Sequence, residues 1–225
     1  SSAVASASLN GHELIIFGNH TLHSATWIYG QKDVSDMAAL KGGSLITAAI
    51  GTLYEGFANY ALKESGLKAG EDVELINISG SGDRQAAFFR GTGDAIVAGT
   101  PLSYQLDADG YPVLFDFTKI DIAISPITAR KDYYQANSEK NEALVKALAE
   151  ANWFINNNRE ETIEIIMNWT KAERKDAERT YDTAIELQSF PVDLTVTRDA
   201  FMFTIDNGTD ERIKSVNPED LYTTE

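Results

Sequence analysis

The fold is decided by residues 44–65, which read SLITAAIGTLYEGFANYALKES. The first part of this stretch, residues 44–49, is mostly apolar or β-branched and predicts a short buried strand. Gly51 and Thr52 then open a predicted helix that runs to the end of the stretch, where Gly66 is a suitable glycine cap. A strand joined to a helix by a short turn is the repeating unit of α/β folds.

The same unit recurs on the C-terminal side of this stretch. Short apolar runs predict strands at 73–78, 94–98 and 113–117, and the segments between them predict helices at 84–90 and 101–107. Strands that alternate with helices across short connections favour a parallel sheet. We therefore expect an α/β protein with mostly parallel sheets flanked by helices.

The chain on either side of this region completes the prediction. The N-terminal part predicts the end of a helix before Gly11, a buried strand at 13–18 and a second strand at 25–29. The C-terminal part predicts helices at about 138–156, 159–169, 171–187 and 197–207. The apolar face expected for the first of these helices consists of Leu144, Val145, Leu148, Ala151, Trp153 and Phe154. A helical C-terminal part is therefore expected.

Charge and composition exclude several classes of partner and site. The formal net charge is −15, so DNA, RNA and anionic membrane surfaces are repelled, although a small anion is not excluded. The absence of cysteine excludes disulfide frameworks, thiolate zinc sites and cysteine nucleophiles. No apolar run is long enough for a membrane span, and residues 1–8 lack the features of a signal peptide. We expect a mature or cropped form of a globular protein.

Three of the predicted strand-to-helix junctions carry small and polar residues. In an open α/β sheet, ligands bind outside the carboxyl ends of the strands, so these junctions are expected to meet at one ligand-binding edge. The candidate ligand-binding residues at the junctions are Gly51, Thr52, Leu53, Tyr54, Ser81, Gly82, Thr100 and Pro101.

Each junction residue has an ordinary structural alternative. Gly51 and Thr52 are expected to offer free N–H groups and a hydroxyl to a carboxylate, sulfonate or phosphate, but they could form a plain helix cap. Tyr54 could stack on a ligand ring or simply pack. The loop around Ser81 fits neither a P-loop nor a dinucleotide fingerprint, and such loops are usually turns. Thr100 is expected to contribute a hydroxyl contact.

A polar loop between the two N-terminal strands supplies two further candidates, Asn19 and His20. His20 and His23 have the i, i+3 spacing of a ligand pair, but no third ligand is evident nearby. We expect Asn19 and His20 to be polar ligand-binding residues rather than part of a metal site. The sequence predicts neither a metal nor a cofactor.

Several segments, in order and spacing, resemble a known family. They are LKG…IGTLYE at 40–55, DVELI at 72–76 with Gly80, AAF…GDAIV at 86–97, ALAEANWF at 147–154 and NPEDL at 217–221. Together they resemble the nitrate/sulfonate/taurine-type substrate-binding proteins, a family that includes NMT1/THI5-like binders of thiamine precursors. The resemblance implies a two-lobed, type II periplasmic-binding-protein-like fold with the ligand in the inter-lobe cleft.

The resemblance also implies how the chain is divided. Residues 1–35 would be the remainder of lobe 1 and the first hinge crossover, 36–117 would be lobe 2, and 118–225 would be the return crossover and the helical part of lobe 1. The family begins with a strand–helix–strand unit, and by this resemblance the sequence is expected to start inside a helix late in that unit. The resemblance therefore implies lobe 2 and the remainder of lobe 1.

The function that the resemblance implies is solute binding for an ABC-type importer, without catalysis. The expected partners are a small-molecule ligand and a membrane permease, with no nucleic acid. The protein is expected to be monomeric and periplasmic or extracellular, and a lipid anchor in the full-length protein is left open. Because Arg84 is the one basic residue near the junctions, an organic ligand, either anionic or heteroaromatic, is expected rather than a small inorganic anion.

Two alternatives use the same fold. One is a ligand-sensing module, which the sequence cannot separate from a transport protein. The other is a pyrimidine-precursor-related enzyme, which would need a catalytic cluster such as several histidines with cysteine, whereas the chain has three histidines and no cysteine. Glu55, Asp83 and Asp94 could form a carboxylate pair, but no nucleophile or matched base accompanies them.

Overall fold

A computed structural model of the chain describes residues 2–208 and 211–223. It divides into two compact units. The first unit comprises Ser1–Ser24, Lys119–Asp206 and Glu211–Glu225, and the second comprises Ala25–Thr118 and Asn207–Asp210. No helix among the described residues is both long enough and apolar enough to cross a membrane.

Strands and helices alternate through the middle of the chain, and helices dominate its C-terminal part. The strands are β1 (Leu14–Asn19), β2 (Thr26–Gly30), β3 (Ser44–Thr47), β4 (Glu74–Asn77), β5 (Ala95–Gly99), β6 (Val113–Asp116) and β7 (Pro126–Arg130). The helices are α1 (Ser2–Leu9), α2 (Leu53–Glu64), α3 (Ser81–Phe89), α4 (Leu102–Ala108), α5 (Lys131–Ala136), α6 (Ser138–Asn157), α7 (Arg159–Thr170), α8 (Arg174–Glu186) and α9 (Arg198–Asp206). Short 3₁₀ turns occur at Ala38–Leu40, Glu211–Ser215 and Pro218–Asp220.

The second unit is built on a five-stranded sheet with the order β4-β3-β5-β2-β6. Strand β3 is parallel to β4 and β5, but β2 is antiparallel to both of its neighbours, β5 and β6. The prediction of mostly parallel sheets is therefore correct for β4-β3-β5 only. Strand β2, with the run TWIYG, lies inside this sheet, and the second unit begins at Ala25, ahead of the start predicted for lobe 2 at residue 36. The division into lobes and crossovers stays a prediction.

Both faces of this sheet are covered, because neighbouring residues of one strand point to opposite faces and are both buried, as Leu45 and Ile46 are. Helices α2, α3 and α4 contact the central strands. Ile46 belongs to a cluster that includes Phe88 and Ile96.

The first unit contains a two-stranded antiparallel sheet, β1 with β7. Ile16 in β1 lies in a core cluster with Val4 of α1 and with Phe201 and Ile205 of α9. The C-terminal tail joins the same core, since the Ile16 N–H donates to the Leu221 carbonyl at 2.7 Å. The helices α7 and α8 bury a separate small cluster around Ile163, Ala177 and Tyr181.

Helix α6 buries only part of the predicted apolar face. Leu144 is 44% exposed and Trp153 is 55% exposed, whereas the buried residues of the helix are Asn141 and Asn152. These two asparagines lie on one helical stripe with Val145 and Leu148, at spacings of four, three and four residues. On α7, Trp169 is 85% exposed.

The core of the second unit depends on ring packing between α2 and the end of β6. Phe57 is fully buried, and its ring centroid lies 4.4 Å from that of Phe117. We expect Phe57→Ala to lower the free energy of unfolding by about 3–5 kcal/mol, because the large cavity cannot be refilled. Chemical denaturation followed by circular dichroism measures this loss.

The matched control for this substitution is Val113→Ala, at a residue of the same unit that is 47% exposed. An exposed truncation is expected to change the free energy of unfolding by no more than about 0.5 kcal/mol. Equal losses for the two variants would contradict this account of the core.

Candidate functional site

The carboxyl ends of three parallel strands meet at one edge of the sheet in the second unit. Strands β3, β4 and β5 end there at Thr47, Asn77 and Gly99. Strand β2 runs in the opposite direction, so it begins at this edge, with Thr26 opposite Gly99. Strand β6 ends there as well, with Asp116 opposite Trp27. The three predicted junctions are thus brought together at what we call the carboxyl edge.

Tyr54, in the first turn of α2, reaches across this edge. Its phenol oxygen lies against Gly99, where a Cβ atom would approach it to 2.7 Å. Burial raises the pKa of Tyr54, and this effect exceeds the opposing effects of the Arg84 charge and of hydrogen bonds with the Thr26 side chain and the Gly99 backbone. Tyr54 is therefore an uncharged phenol at neutral pH that joins α2 to β5 and β2.

Arg84, in α3, fixes the junction that follows β4. Its Nη1 donates to the carbonyl oxygens of Ile78 and Ser79, each at 2.9 Å. Its guanidinium carbon lies 5.4 Å from the centroid of the Tyr54 ring, within the range of a cation–π contact. Arg84 thus connects two of the predicted junctions.

The start of α2 differs from the prediction. The Gly51 N–H donates to Oε2 of Glu55 at 2.7 Å, and the Thr52 N–H donates to the Ala49 carbonyl at 3.2 Å. The Thr52 hydroxyl also donates to the Ala49 carbonyl, at 2.7 Å. The expectation of free N–H groups at Gly51 and Thr52 is wrong, because a buried carboxylate four residues further on reaches back to the helix start. An acid in the first turn was the available signal.

The other two junctions present their residues to solvent. Helix α3 begins at Ser81, earlier than predicted, and Ser81 and Gly82 are exposed. The Asp83 carboxylate lies over Gly80, where a side chain would collide with it. The Thr100–Pro101 peptide bond is cis, and Pro101, which is exposed, precedes α4.

Leu53 and Thr100 are half-buried at the same edge, while Ile50, in the turn after β3, is 73% exposed. The sequence analysis did not single out Ile50. A large apolar side chain beside a predicted ligand junction was the signal that could have identified it.

Asn19 and His20 belong to the first unit, and Asn19 serves the fold. It is fully buried, its Nδ2 donates to the Thr21 carbonyl at 3.0 Å, and its Oδ1 accepts from the Ser125 N–H at 3.2 Å. Its own N–H donates to the Leu194 carbonyl at 2.7 Å. These bonds fix the end of β1 against the start of β7. Because Asn19 is fully buried, its exposure does not support contact with a ligand, which stays a prediction.

His20 is half-buried beside Phe190, with the two ring centroids 5.6 Å apart in an edge-on arrangement. Burial lowers the pKa of His20 from its ordinary value of 6.5. His23 instead places Nε2 2.7 Å from Oδ1 of Asp121. Within residues 2–208 and 211–223, no three His, Asp or Glu side chains are grouped to hold a metal ion.

Asn152, which the sequence analysis missed, positions the backbone around His20. Its side chain is fully buried, and Nδ2 donates to the carbonyls of His20 at 3.2 Å and Pro191 at 2.7 Å. A polar residue on a helical stripe with Leu148 was the signal that could have revealed it. The loop that carries His20 therefore depends on α6.

We expect Asn152→Ala to lower the free energy of unfolding by about 2–3 kcal/mol, because two buried carbonyls lose their donor. The matched control is Asn156→Ala, one turn further along α6, where Nδ2 donates to the Phe190 carbonyl at 2.9 Å from an exposed position. Water can replace that donor, so a loss of under about 1 kcal/mol is expected. Urea titration of both variants tests the difference, and a larger loss for Asn156→Ala would refute it.

The lowered pKa of His20 predicts how stability depends on pH. The unfolded chain binds a proton at His20 at higher pH than the folded chain does, so stability is present above pH 6.5 and is lost as pH falls below it. We expect His20→Gln to lose less stability than the parent protein between about pH 7.5 and 5.5. His12→Gln, the same substitution at an exposed histidine, is the matched control. Identical pH profiles for all three proteins would contradict this.

The carboxylates considered for catalysis do not converge. Asp94 precedes β5 and accepts from the N–H and hydroxyl of Ser44 at 2.7 and 2.8 Å, at the amino end of the sheet. Glu55 and Asp83 belong to the carboxyl edge, at the starts of α2 and α3. Asp94 therefore cannot form a pair with either of them.

The chain matches a known family over most of its length. A model of the NMT1-like family matches residues 2–171, which is more than half of the chain. No protein with a curated description matches it.

Solved structures share the fold at low sequence identity. A structure from Bordetella bronchiseptica RB50 has a TM-score of 0.77 at 18% identity, covering 100% of this chain and 76% of that one. The periplasmic aliphatic sulphonate binding protein SsuA from Escherichia coli has a TM-score of 0.73 at 22% identity, covering 90% and 68%. The alkanesulfonate-binding protein SsuA from Xanthomonas axonopodis pv. citri, bound to MOPS, has a TM-score of 0.67 at 20% identity, covering 80% and 62%. The predicted α/β fold class of two-lobed periplasmic binding proteins is confirmed.

Proposed function

Because the chain belongs to the NMT1-like family, we propose that it is the solute-binding component of an ABC-type importer. Proteins from Escherichia coli and Xanthomonas with the same fold are named sulphonate- or alkanesulfonate-binding proteins. One observation carries the proposal: aromatic, hydroxyl and cationic side chains gather at the carboxyl edge of the second unit, the place where open α/β sheets bind ligands.

In this proposal the solute is a small organic molecule. The Tyr54 ring and the exposed Ile50 side chain offer apolar contact, while Ser81 and Thr100 offer hydroxyl groups. Arg84 has two of its donor bonds taken by backbone carbonyls, and it orients the loop that carries Ser81. Such a mixture of apolar surface with a few polar groups is typical of sites for organic ligands.

We propose that the protein binds its solute without catalysing a reaction. Glu55 is bonded to the Gly51 N–H and is buried, so it is not available as a base for a bound solute. Asp94 lies at the opposite edge, and the sequence has no cysteine to act as a nucleophile. These observations favour a binding protein over a pyrimidine-precursor-related enzyme.

The proposal extends to partners and location. A solute-binding component needs a membrane permease as its partner and acts as a periplasmic or extracellular protein, here proposed as a monomer. The Escherichia coli protein of the same fold is described as periplasmic. The proposed function holds with or without a lipid anchor.

Thermal unfolding against a panel of solutes tests this function. The panel contains alkyl and aryl sulfonates, nitrate, bicarbonate, amino acids, amines and pyrimidines. A solute at a hundred times its Kd should stabilise the protein by about 2.7 kcal/mol, which at this chain length raises Tm by roughly 5–10 °C. We expect one chemical class to give such a shift.

Gly99→Ala is expected to abolish the shift, because a Cβ atom at residue 99 would lie 2.7 Å from the Tyr54 phenol oxygen and displace it. The control is Gly56→Ala, the same substitution in α2, where the new Cβ meets its nearest atom at 3.7 Å. That variant should keep the shift, with stability unchanged or raised by up to about 1 kcal/mol. A flat panel, or a full shift in Gly99→Ala, would overturn the proposed function.

A further inference from the structure

We propose that the first unit contains a second binding site, which takes a small organic ammonium ion. The site is a cavity of about 600 Å³ lined by residues of β1, α5, α6 and the loop at 193–196. Ligand pockets commonly measure roughly 300–1,000 Å³. Every residue that lines this cavity belongs to the first unit, so the site is separate from the carboxyl edge of the second unit.

Aromatic and aliphatic side chains form the apolar part of the cavity wall. The rings of Phe17 and Tyr134 both line it, with their centroids 5.0 Å apart and their planes tilted by 42°. Val145 of α6 and Val196 extend this apolar surface. Because Phe17 and Tyr134 are only half-buried, the apolar body of a ligand can still remove part of their surface from water.

Asn141 places an unpaired hydrogen-bond acceptor at this wall. The residue lines the cavity and is 7% exposed. Its Nδ2 donates to the Tyr134 carbonyl at 2.7 Å, which fixes the orientation of the amide. Its Oδ1 accepts no hydrogen bond from any residue within 2–208 and 211–223. Since a buried polar atom without a partner costs free energy, this oxygen calls for a ligand with an N–H or O–H donor.

The charges that line the cavity are negative. The Asp193 carboxylate is exposed, and its Oδ1 accepts the Thr195 N–H at 3.1 Å. Glu142 also lines the cavity, and its Oε2 lies 3.8 Å from Nζ of Lys146, which partly offsets its charge. In the described part of the chain, no Lys, Arg or His lines the cavity. The local potential therefore attracts a cation.

The loop that carries Asp193 is fixed by the fold. Leu194, the next residue, is 2% exposed and has a left-handed backbone with a φ of 54°. Its carbonyl accepts the Asn19 N–H from the end of β1 at 2.7 Å. A wall that is ordered by such contacts needs little further ordering when a ligand binds, and this lowers the cost of binding.

These features together select an apolar molecule with a cationic donor group. An ammonium group supplies N–H donors for Asn141 Oδ1 and a positive charge for the Asp193 carboxylate. A cation is also attracted to the faces of aromatic rings such as those of Phe17 and Tyr134. A carboxylate or sulfonate has no proton to donate and is repelled by the two acids, so anions are disfavoured at this site.

Three probes that share one ring test the proposal by amide NMR titration: benzylammonium, benzyl alcohol and benzoate. Each is titrated into the whole chain at constant ionic strength, and the amides that shift show where the probe binds. We expect benzylammonium to bind about tenfold more tightly than benzoate. Its largest shifts are expected in residues 17–18, 134–145 and 193–196.

Two substitutions with matched controls test the cavity itself. Val145→Phe should remove binding because the new ring fills the cavity, whereas Leu144→Phe, at an exposed residue outside it, should leave the Kd unchanged. Asp193→Asn should weaken benzylammonium binding severalfold and leave benzyl alcohol binding unchanged. Its control is Asp199→Asn, the same substitution at an exposed acid of the first unit that does not line the cavity.

Several outcomes would overturn the proposal. Benzoate or benzyl alcohol that binds as tightly as benzylammonium would contradict the ammonium class. Shifts that persist in natively folded Val145→Phe would mean that benzylammonium binds elsewhere, and if that variant does not fold, an unchanged Kd in Asp193→Asn decides against the site. If no probe binds, water satisfies Asn141 and the site is refuted, while the proposed function is still decided by the solute panel. Gly99→Ala, in the second unit, should leave benzylammonium binding to the first unit intact.

Discussion

The Tyr54 phenol oxygen reaches the backbone of Gly99 because residue 99 carries no side chain. This approach joins the first turn of α2 to β5, and through Thr26 to β2, which runs antiparallel beside it. Arg84 packs near the same ring and fixes the loop after β4, so the junction after β4 is connected to the start of α2. The Tyr54 phenol hydrogen-bonds with the Thr26 side chain and the Gly99 backbone, so the first turn of α2 is tied to two strands of the sheet.

Two helices that begin at the carboxyl edge carry an acidic residue in the first turn, Glu55 in α2 and Asp83 in α3. A strand followed by a helix start is a general anion site only while the helix N–H groups are unpaired. Glu55 reaches back four residues and accepts the Gly51 N–H, so a carboxylate of the chain itself lies at the start of α2. The fold shared with sulphonate-binding proteins therefore does not by itself carry their ligand class to this chain.

The sequence predicts elements whose signals lie within a few neighbouring residues. It does not predict arrangements that depend on residues far away in the chain. The run at 44–47, the turn at Gly51 and the glycine after α2 predict β3 and α2 correctly, because strand and helix signals lie within a few residues. The place of β2 between β5 and β6 depends on residues about seventy and ninety positions away and could not be read from its own residues. Hydropathy predicts that Trp153 is buried and that Asn152 is exposed, whereas in the structure Asn152 is buried and Trp153 is exposed.

The tryptophans of the two units differ in their exposure to water. Trp153 and Trp169 belong to the first unit and are largely in water, whereas Trp27 is the one tryptophan in residues 25–118, half-buried in β2 next to the carboxyl edge. Indole emission shifts to shorter wavelength as the ring becomes less exposed to water. Trp27 therefore contributes the shorter-wavelength part of the fluorescence spectrum. The longer-wavelength part comes from Trp153 and Trp169, so the chain contains both a reporter of the carboxyl edge and an internal reference.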